Sequence, residues 1–389
     1  MIKIIAFTAS RSEYDLLSPL YKLLSLDKAI NFKLIVSGAH LSKEYGYTYS
    51  EIKKDRISVL STIKTLNSEI NQKSRIKSAS KLLEKGIDVI SNFKPDLIIY
   101  AGDREEVIIA SLIGGYLEIP TMHFYGGDHV SDSHIDNPVR HATSKLSTFH
   151  MVSCEEHLKR LYQMGELKER IHNIGSISLD KFRRENTFSK EKLRSVLNID
   201  KDFRTFAILI FHPIPKERGR SAMIFENILN CLIENHINAF VSYPNIDPGN
   251  TEIIAVINKY KNSNFFYFYK NQPRKIFLSI YKNSCFMIGN SSSGVLESAS
   301  IPIPAINVGH RQTGRKSNSN VIFCHDSVSE INRAIKYSLS DTFQINLKNI
   351  TNIYGNGGSS EKALKLIKNI NFKSLLFKDE DILRNIASR

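Results

Sequence analysis

Short β-branched or aromatic runs alternate with longer amphipathic stretches along nearly the whole chain, and this alternation most limits what it can fold into. IIAFT (4–8), FKLIVSG (32–38), DLIIYAG (96–102), TMHFYGG (121–127) and FHMVS (149–153) have the length and composition of buried strands. Between them EYDLLSPLYKLLS, RIKSASKLLEKGIDVISNF, EEVIIASLIGGYL and DNPVRHATSKL repeat apolar residues at helical spacing. Strands separated by helices are joined by crossovers, so the expected sheet is parallel with helices on both faces.

The pattern restarts after a polar segment near 183–203. TFAILIFH (205–212), AFVSYP (239–244), NFFYFY (264–269), CFMIGN (285–290) and IPAINV (303–308) follow, again separated by helical runs. The expected fold class is α/β, with two doubly wound Rossmann-like domains facing a cleft. The first covers 1–182 and the second 183–368, while SLLFKDEDILRNIA reads as a helix in a last segment, 369–389, able to dock back on the first domain. A length of 389 residues agrees with two domains, and 42% apolar residues suffice for two cores. In such folds ligands bind outside the carboxyl ends of the strands, so strand-end residues are the ones to question.

Several function classes fall away on composition. MIKIIAFTASR is too short an apolar run for a signal peptide, and no stretch approaches the roughly 18–20 apolar residues of a spanning helix. Cys154, Cys231, Cys285 and Cys324 show neither CxxC nor disulfide-scaffold spacing, so a cytoplasmic setting is expected. The net charge of +14 invites nucleic acid or an anionic membrane. The lysines are spread along helical stretches, however, with no RNP-like aromatic motif, zinc-finger spacing or recognition helix, so solvated helix faces account for them. Neither a nucleic-acid nor a membrane partner is expected.

The strand ends carry the chemistry. In TASRSEYDLL (8–17) the first strand stops and Arg11-Ser12 opens a helix, whose N–H groups suit a phosphate; ordinary serine capping explains the segment equally well. In GNSSSGVLES (289–298) a buried strand ends at Gly289-Asn290 and Ser291, Ser292 and Ser293 precede a helix, which suits a pyrophosphate. Glu297, one turn on, is placed to accept from a ribose diol. GHRQTGR (309–315) adds Arg311 and Arg315, and YGNGGSSEKA (354–363) is a second glycine- and serine-rich helix start of the same kind. IFHPIP and YPNIDPGN end two further strands with His212 and Asn245. No GxGxxG or GxxxxGK[ST] is present, which disfavours dinucleotides and P-loop chemistry.

Carboxylates gather in the first half. AGDREE (101–106) puts Asp103 and Arg104 directly after a buried strand. One strand over, TMHFYGGDHVSDSHIDNPVRHATSK (121–145) crowds Asp128, Asp132 and Asp136 among histidines. Converging carboxylates suit general acid/base work. A metal site is the rival, but His123, His129, His134 and His141 lack an HExxH-type spacing.

Taken in order, TASRSEYDLL, SGAHLSKEYGYT, AGDREE, HFYGGD, IDNPVRHATSKLS, FHP, YPNIDPG, GNSSSGVLES, GHRQTGR and YGNGG resemble the hydrolysing UDP-N-acetylglucosamine 2-epimerases, including their sialic- and legionaminic-acid branches, from about residue 3 to 366. The resemblance implies a glycosyltransferase-B type fold, a UDP-sugar substrate, no metal or redox cofactor, and a homo-oligomer, dimer or tetramer. It implies that a base removes the C2 proton as UDP leaves C1, and that the 2-acetamidoglucal takes up water to give N-acetylmannosamine or a related sugar. Asp103 and Asp136 fall on acid/base positions, and His212 on a diphosphate-side or leaving-group position. Arg11, Ser291, Ser292, Glu297 and Arg311 fall on nucleotide contacts, Arg104 and Asn245 on the substrate side. The family usually reads HIEGGE where this chain has HFYGGD, so Tyr125, a poor base at neutral pH that can still donate a proton in catalysis, replaces a catalytic glutamate, and Asn137 a second aspartate. Asp128 or Asp132 takes over that role, or the sugar differs from the default UDP-N-acetylglucosamine (UDP-N,N′-diacetylbacillosamine is the first alternative) and Tyr125 packs on it or hydrogen-bonds it, or the chain binds a nucleotide sugar without full epimerisation. A glycosyltransferase on the same scaffold is the rival enzyme.

Overall fold

The computed structural model describes residues 1–66, 72–130, 135–184, 186–199, 203, 205–217, 219–244, 249–270 and 272–381. The chain divides into two compact units. Unit 1 takes Met1–Asp128, Ile135–Lys181 and Gly357–Arg389; unit 2 takes His129–His134 and Phe182–Asn356.

Unit 1 runs β1 (Ile2–Thr8), α1 (Arg11–Leu26), β2 (Ile30–Ser37), α2 (Tyr49–Lys54), β3 (Val59–Ile63), α3 (Gln72–Phe93), β4 (Leu97–Ala101), α4 (Glu105–Tyr116), β5 (Thr121–Phe124), α5 (Asp136–Leu146), β6 (Phe149–Val152), α6 (Glu155–Gln163) and β7 (Ile171–Asn173). The short α7 (Asp180–Arg184) carries the chain out. All seven strands pair in parallel, in the order β3-β2-β1-β4-β5-β6-β7. Successive residues of the inner strands point to opposite faces, and both faces are covered. Ile4, Ala6, Leu97 and Ile99 join one buried cluster with Leu17 and Tyr21 of α1. Ile5, Phe7, Ile98 and Tyr100 join another with Leu82 and Ile90 of α3 and Val107 of α4. A strand buried on both sides must be a continuous apolar run, which is why these strands stand out in the sequence.

Unit 2 repeats the plan with α8 (Lys190–Val196), β8 (Phe206–Ile210), α9 (Ser221–Glu234), β9 (Asn238–Ser242), α10 (Asn250–Tyr260), β10 (Phe266–Tyr269), α11 (Arg274–Asn283), β11 (Met287–Gly289), α12 (Ser292–Leu296), β12 (Ala305–Val308), β13 (Val321–Cys324), α13 (Val328–Ser338) and α14 (Asp341–Leu347). Its six parallel strands follow the order β10-β9-β8-β11-β12-β13. Again alternate residues divide, Leu209 and Val241 to one cluster and Ile208 and Phe240 to the other.

Two expectations are corrected. The return to unit 1 comes before Gly357 rather than at 368, so α15 (Ser359–Asn369) belongs to unit 1. Its Ala363 and Ile367 are buried with α1 in the first cluster. Of the helix expected over 369–389, the described part up to Asp381 shows only a single 3-10 turn at Phe372–Leu375, and 382–389 lies outside the described residues. The following Lys378 and Glu380 are tied down by buried polar partners instead. No helix among the described residues is long and apolar enough to cross a membrane.

Candidate active site

The strand orders place the openings. In unit 1 the order turns between β1 and β4, and in unit 2 between β8 and β11. Crossovers leave in opposite directions there, so the exits of those strands are not roofed by their own connections.

At the exits of β4 and β5 in unit 1, one buried arginine gathers two carboxylates. Arg140 lies one turn into α5 with its side chain 5% exposed; its Nη2 pairs with Asp103 and its Nη1 lies 3.6 Å from Asp128 Oδ2. Asp128 Oδ1 is in turn 3.3 Å from His157 Nε2 of α6. Burial alone would keep the His157 imidazole neutral, but hydrogen bonds to Asp128 and Cys154 outweigh it and push its pKa up to about 9. His157 is therefore a cation at neutral pH. α6 also grips the turn before Asp128. Arg160 donates to the Gly127 carbonyl, and a Cβ on Gly127, at φ +77°, would run into the His157 carbonyl. Asp128 is thus a carboxylate held between two cations, and Asp103 the more open partner, with its side chain 24% exposed. Asp136 opens the same helix that carries Arg140.

Glu13, absent from the expected set, sits at the exit of β1. It closes a capping arrangement in which Ser10 accepts from the Glu13 N–H and Glu13 Oε2 accepts from the Ala9 N–H at 2.8 Å. Burial, and then the neighbouring Glu106, push its pKa up to about 8. It therefore keeps its proton over most of the physiological range.

Tyr125 is turned inward. At φ +64° it ends β5, and its hydroxyl donates to the Leu16 carbonyl and accepts from the Ser178 N–H, each at 3.2 Å. The phenol that stands where a glutamate was expected is a brace within unit 1. Tyr125→Phe should accordingly leave turnover within about threefold, and lower stability by about 1–2 kcal/mol for two unpaired backbone groups. A hundredfold loss of rate in steady-state assays would return the hydroxyl to the chemistry.

In unit 2, His212 follows β8, and Ser291 and Ser292 follow β11. Burial, and then the Arg311 charge, drive the His212 pKa down to about 3, so its imidazole is neutral. Ser291 accepts from the Ser293 N–H, and Ser293 Oγ donates to Glu297 Oε2 at 2.6 Å, so that oxygen already holds an intrachain partner. The helix these serines open, α12, has only 5 residues, giving a weaker dipole than expected. Arg311 Nη1 reaches the Asn290 carbonyl at 3.0 Å.

Other expected positions stand as follows. Arg11 lies 3.7 Å from Asp15 and 3.4 Å from Glu51, and Ser12 is exposed, its hydroxyl 3.1 Å from that of Ser10. Arg104 is exposed at the N-cap of α4. Asn245, Asp132 and His134 lie outside the described residues. The phosphate expected at YGNGGSSEKA is displaced by the protein itself: Asp180 accepts from the Ser359 and Ser360 N–H groups at 3.0 and 2.8 Å and from the Ser360 hydroxyl. A carboxylate from unit 1 fills that helix start. Of the histidines weighed for metal, His123 has both ring nitrogens in hydrogen-bond contact, with Ser144 Oγ and the Gly102 carbonyl.

Burial holds His40 at a pKa of about 4, His123 at about 3 and His150 at about 4. All three are depressed from 6.5, so their contribution to stability is complete above pH 6.5 and is lost as pH falls through the folded values. Melting midpoints should fall steadily from pH 6.5 to 4.5, with an added slope of about 1.4 kcal/mol per pH unit for each histidine. A flat profile across that window would show that these rings are protonated in the fold.

The likeness to known proteins is broad. A family model described as UDP-N-acetylglucosamine 2-epimerase matches residues 22–368. The chain is 32% identical over 368 residues to a UDP-N,N′-diacetylbacillosamine 2-epimerase (hydrolyzing) of Legionella pneumophila, covering 95% of this chain and 96% of that one. It is also 32% identical over 382 residues to a GDP/UDP-N,N′-diacetylbacillosamine 2-epimerase (hydrolyzing) of Campylobacter jejuni, covering 97% and 98%. Among solved structures, UDP-GlcNAc 2-epimerase from Neisseria meningitidis, bound to UDP-GlcNAc, superposes with a TM-score of 0.80 at 18% identity, over 95% of this chain and all of that one. Its fold is the glycosyltransferase-B type expected of the sequence. With the family model spanning both units, the chain belongs to the UDP-N-acetylglucosamine 2-epimerase family.

Proposed function

We propose that this chain is a hydrolysing sugar-nucleotide 2-epimerase serving nonulosonic-acid or surface-polysaccharide synthesis in the cytoplasm. The observation that carries the reading is Asp103, an ionic carboxylate at a strand exit, held by a buried arginine from the helix that also presents Asp136. Two carboxylates suit a reaction that removes one proton and delivers another. One takes the C2 proton while the C1–O bond breaks and its electrons leave with UDP. Water then adds to C1 of the glycal, and a proton returns to C2 on the opposite face. In unit 2, Ser291, Ser292, Arg311 and neutral His212 hold the diphosphate, with Glu297 toward the ribose. On unit 1, Arg11 and Ser12 are the candidates for the nucleotide and Arg104 for the sugar; Asn245, the other sugar-side candidate, lies outside the described residues. Asp128, ion-paired with Arg140 and His157, positions Asp103 rather than replacing the glutamate.

The two 32%-identical relatives favour UDP-N,N′-diacetylbacillosamine as the sugar. UDP-N-acetylglucosamine is the second reading, supported by a 28%-identical UDP-N-acetylglucosamine 2-epimerase of Neisseria meningitidis. Proton NMR in D2O with each substrate tests both. The expected result is UDP and a free 2-epimerised sugar carrying deuterium at C2, faster from the diacetamido substrate. No UDP from either would sink the hydrolytic reading and leave acceptor-dependent transfer or simple binding.

A further inference from the structure

At the exit of β11, Asn290 is fully buried and ties together three strand ends of unit 2. Its backbone N–H donates to the Ile210 carbonyl at 3.1 Å. Its side chain grips the backbone of His212 from both sides: Oδ1 accepts from the His212 N–H, and Nδ2 donates to the His212 carbonyl, each at 2.8 Å. Its own carbonyl accepts from Arg311 Nη1 at 3.0 Å and from Gln312 Nε2 at 3.1 Å, and Gln312 Oε1 accepts from Arg315 at 2.7 Å. The approach is close because Gly289 precedes it, at φ +131°, where a Cβ would collide with the Ile210 carbonyl.

We propose that Asn290 is a positioning residue of the nucleotide site: its carboxamide locks the His212 backbone and its main-chain carbonyl receives the Arg311 side chain, so that both stand as one group for binding a nucleoside diphosphate. The proposal rests on the nucleotide-binding role given to unit 2 above. Only a carboxamide of this length meets both demands of His212 at once, an acceptor for its N–H and a donor for its carbonyl. A carboxylate cannot donate, so it would set two oxygens against each other and add a buried negative charge. A residue without the amide would leave both backbone groups unpaired. Neutral His212 and cationic Arg311 are the pair a diphosphate would meet, and Asn290 touches the backbone of one and the guanidinium of the other.

The test uses the whole chain carrying Asn290→Asp, Asn290→Ala, Arg311→Met and the Asn290→Ala/Arg311→Met pair, all checked for folding by circular dichroism. Two readouts are taken. Histidine NMR titration without ligand reports on His212 directly: the Asp variant is expected to move its ring resonances and raise its pKa by at least one unit. Calorimetry with UDP reports on the diphosphate: Kd is expected to rise roughly 10- to 100-fold for each single variant. The double variant should lose less than the sum of the two single losses, since Asn290 sets, through the His212 backbone, the same diphosphate-binding group that Arg311 completes. Fully additive losses, or an unmoved His212 resonance, would overturn the proposal. If the Asp variant does not fold, the Ala variant and its double decide the matter. Failure of the unaltered chain to bind UDP would overturn the proposed function and the nucleotide part of this inference together, while the titration still decides whether Asn290 sets His212.

Discussion

Asp103→Asn should cut turnover by about a thousandfold while UDP affinity stays within about twofold. The rate loss is in the range that removal of a positioned acid or base produces, for roughly 4 kcal/mol of transition-state stabilisation. The substitution keeps the shape at the exit of β4, and the amide oxygen can still accept from Arg140 Nη2, whose carboxylate partner is Asp103. Arg140 retains Asp128 at 3.6 Å, so its charge is not left alone in the interior. The fold should therefore survive and the defect should appear in kcat, with the C2 proton no longer exchanging into D2O. An unaltered kcat, or a loss confined to UDP affinity, would remove Asp103 from the chemistry and make it a counter-ion of Arg140. Comparing Asp128→Asn sharpens the point. Asp128 sits between Arg140 and cationic His157, so its loss should destabilise unit 1 while reducing turnover less than the Asp103 change.

The fold was readable where burial was two-sided. β1, β4 and β8 are apolar on both faces and stand out as runs, whereas β3, β7 and β13 lie at sheet edges, are partly exposed, and escaped the pattern. The home of α15 was illegible for a different reason: an amphipathic helix declares that it has a partner but not which one, and its partner α1 is more than three hundred residues away in sequence. The strand-end rule picked out Asp103, His212 and Arg311 because parallel sheets expose residues there. It missed Arg140, whose role depends on a helix returning over β4 and β5, and His157, in the first turn of the next helix, α6. Glu13 was readable, since Ser10 and Glu13 have the S-x-x-E spacing of a capping box. Tyr125 shows the converse: the substitution was visible in the sequence, but the Leu16 carbonyl that accounts for it was not.

Arg170→Met should cost about 3–5 kcal/mol in unit 1, the loss expected when a buried ion pair is broken from one side. Arg170 is 1% exposed and carries the end of the chain: Nε pairs with Glu380 at 2.5 Å, Nη2 donates to the Phe377 carbonyl at 2.8 Å, and Nη1 donates to the Leu375 and Thr148 carbonyls. Methionine fills much of the volume but leaves a carboxylate and three carbonyls without that donor. Lysine would restore one charge without the planar fork, so Arg170→Lys should recover only part of the loss. The consequence reaches the site. Lys378 in the same tail donates to the Ser144 and Lys145 carbonyls at the end of α5 and to Glu166 at 2.5 Å. Burial lowers its pKa to about 8 despite Glu166, yet it remains the cation that closes the helix presenting Asp136 and Arg140. Urea denaturation combined with hydrogen exchange is the check. The methionine variant should unfold at lower urea, exchange faster over 372–381 and at the last turn of α5, and turn over more slowly. Faster exchange in the tail with α5 and the rate unchanged would confine the tail to stability and detach it from the site.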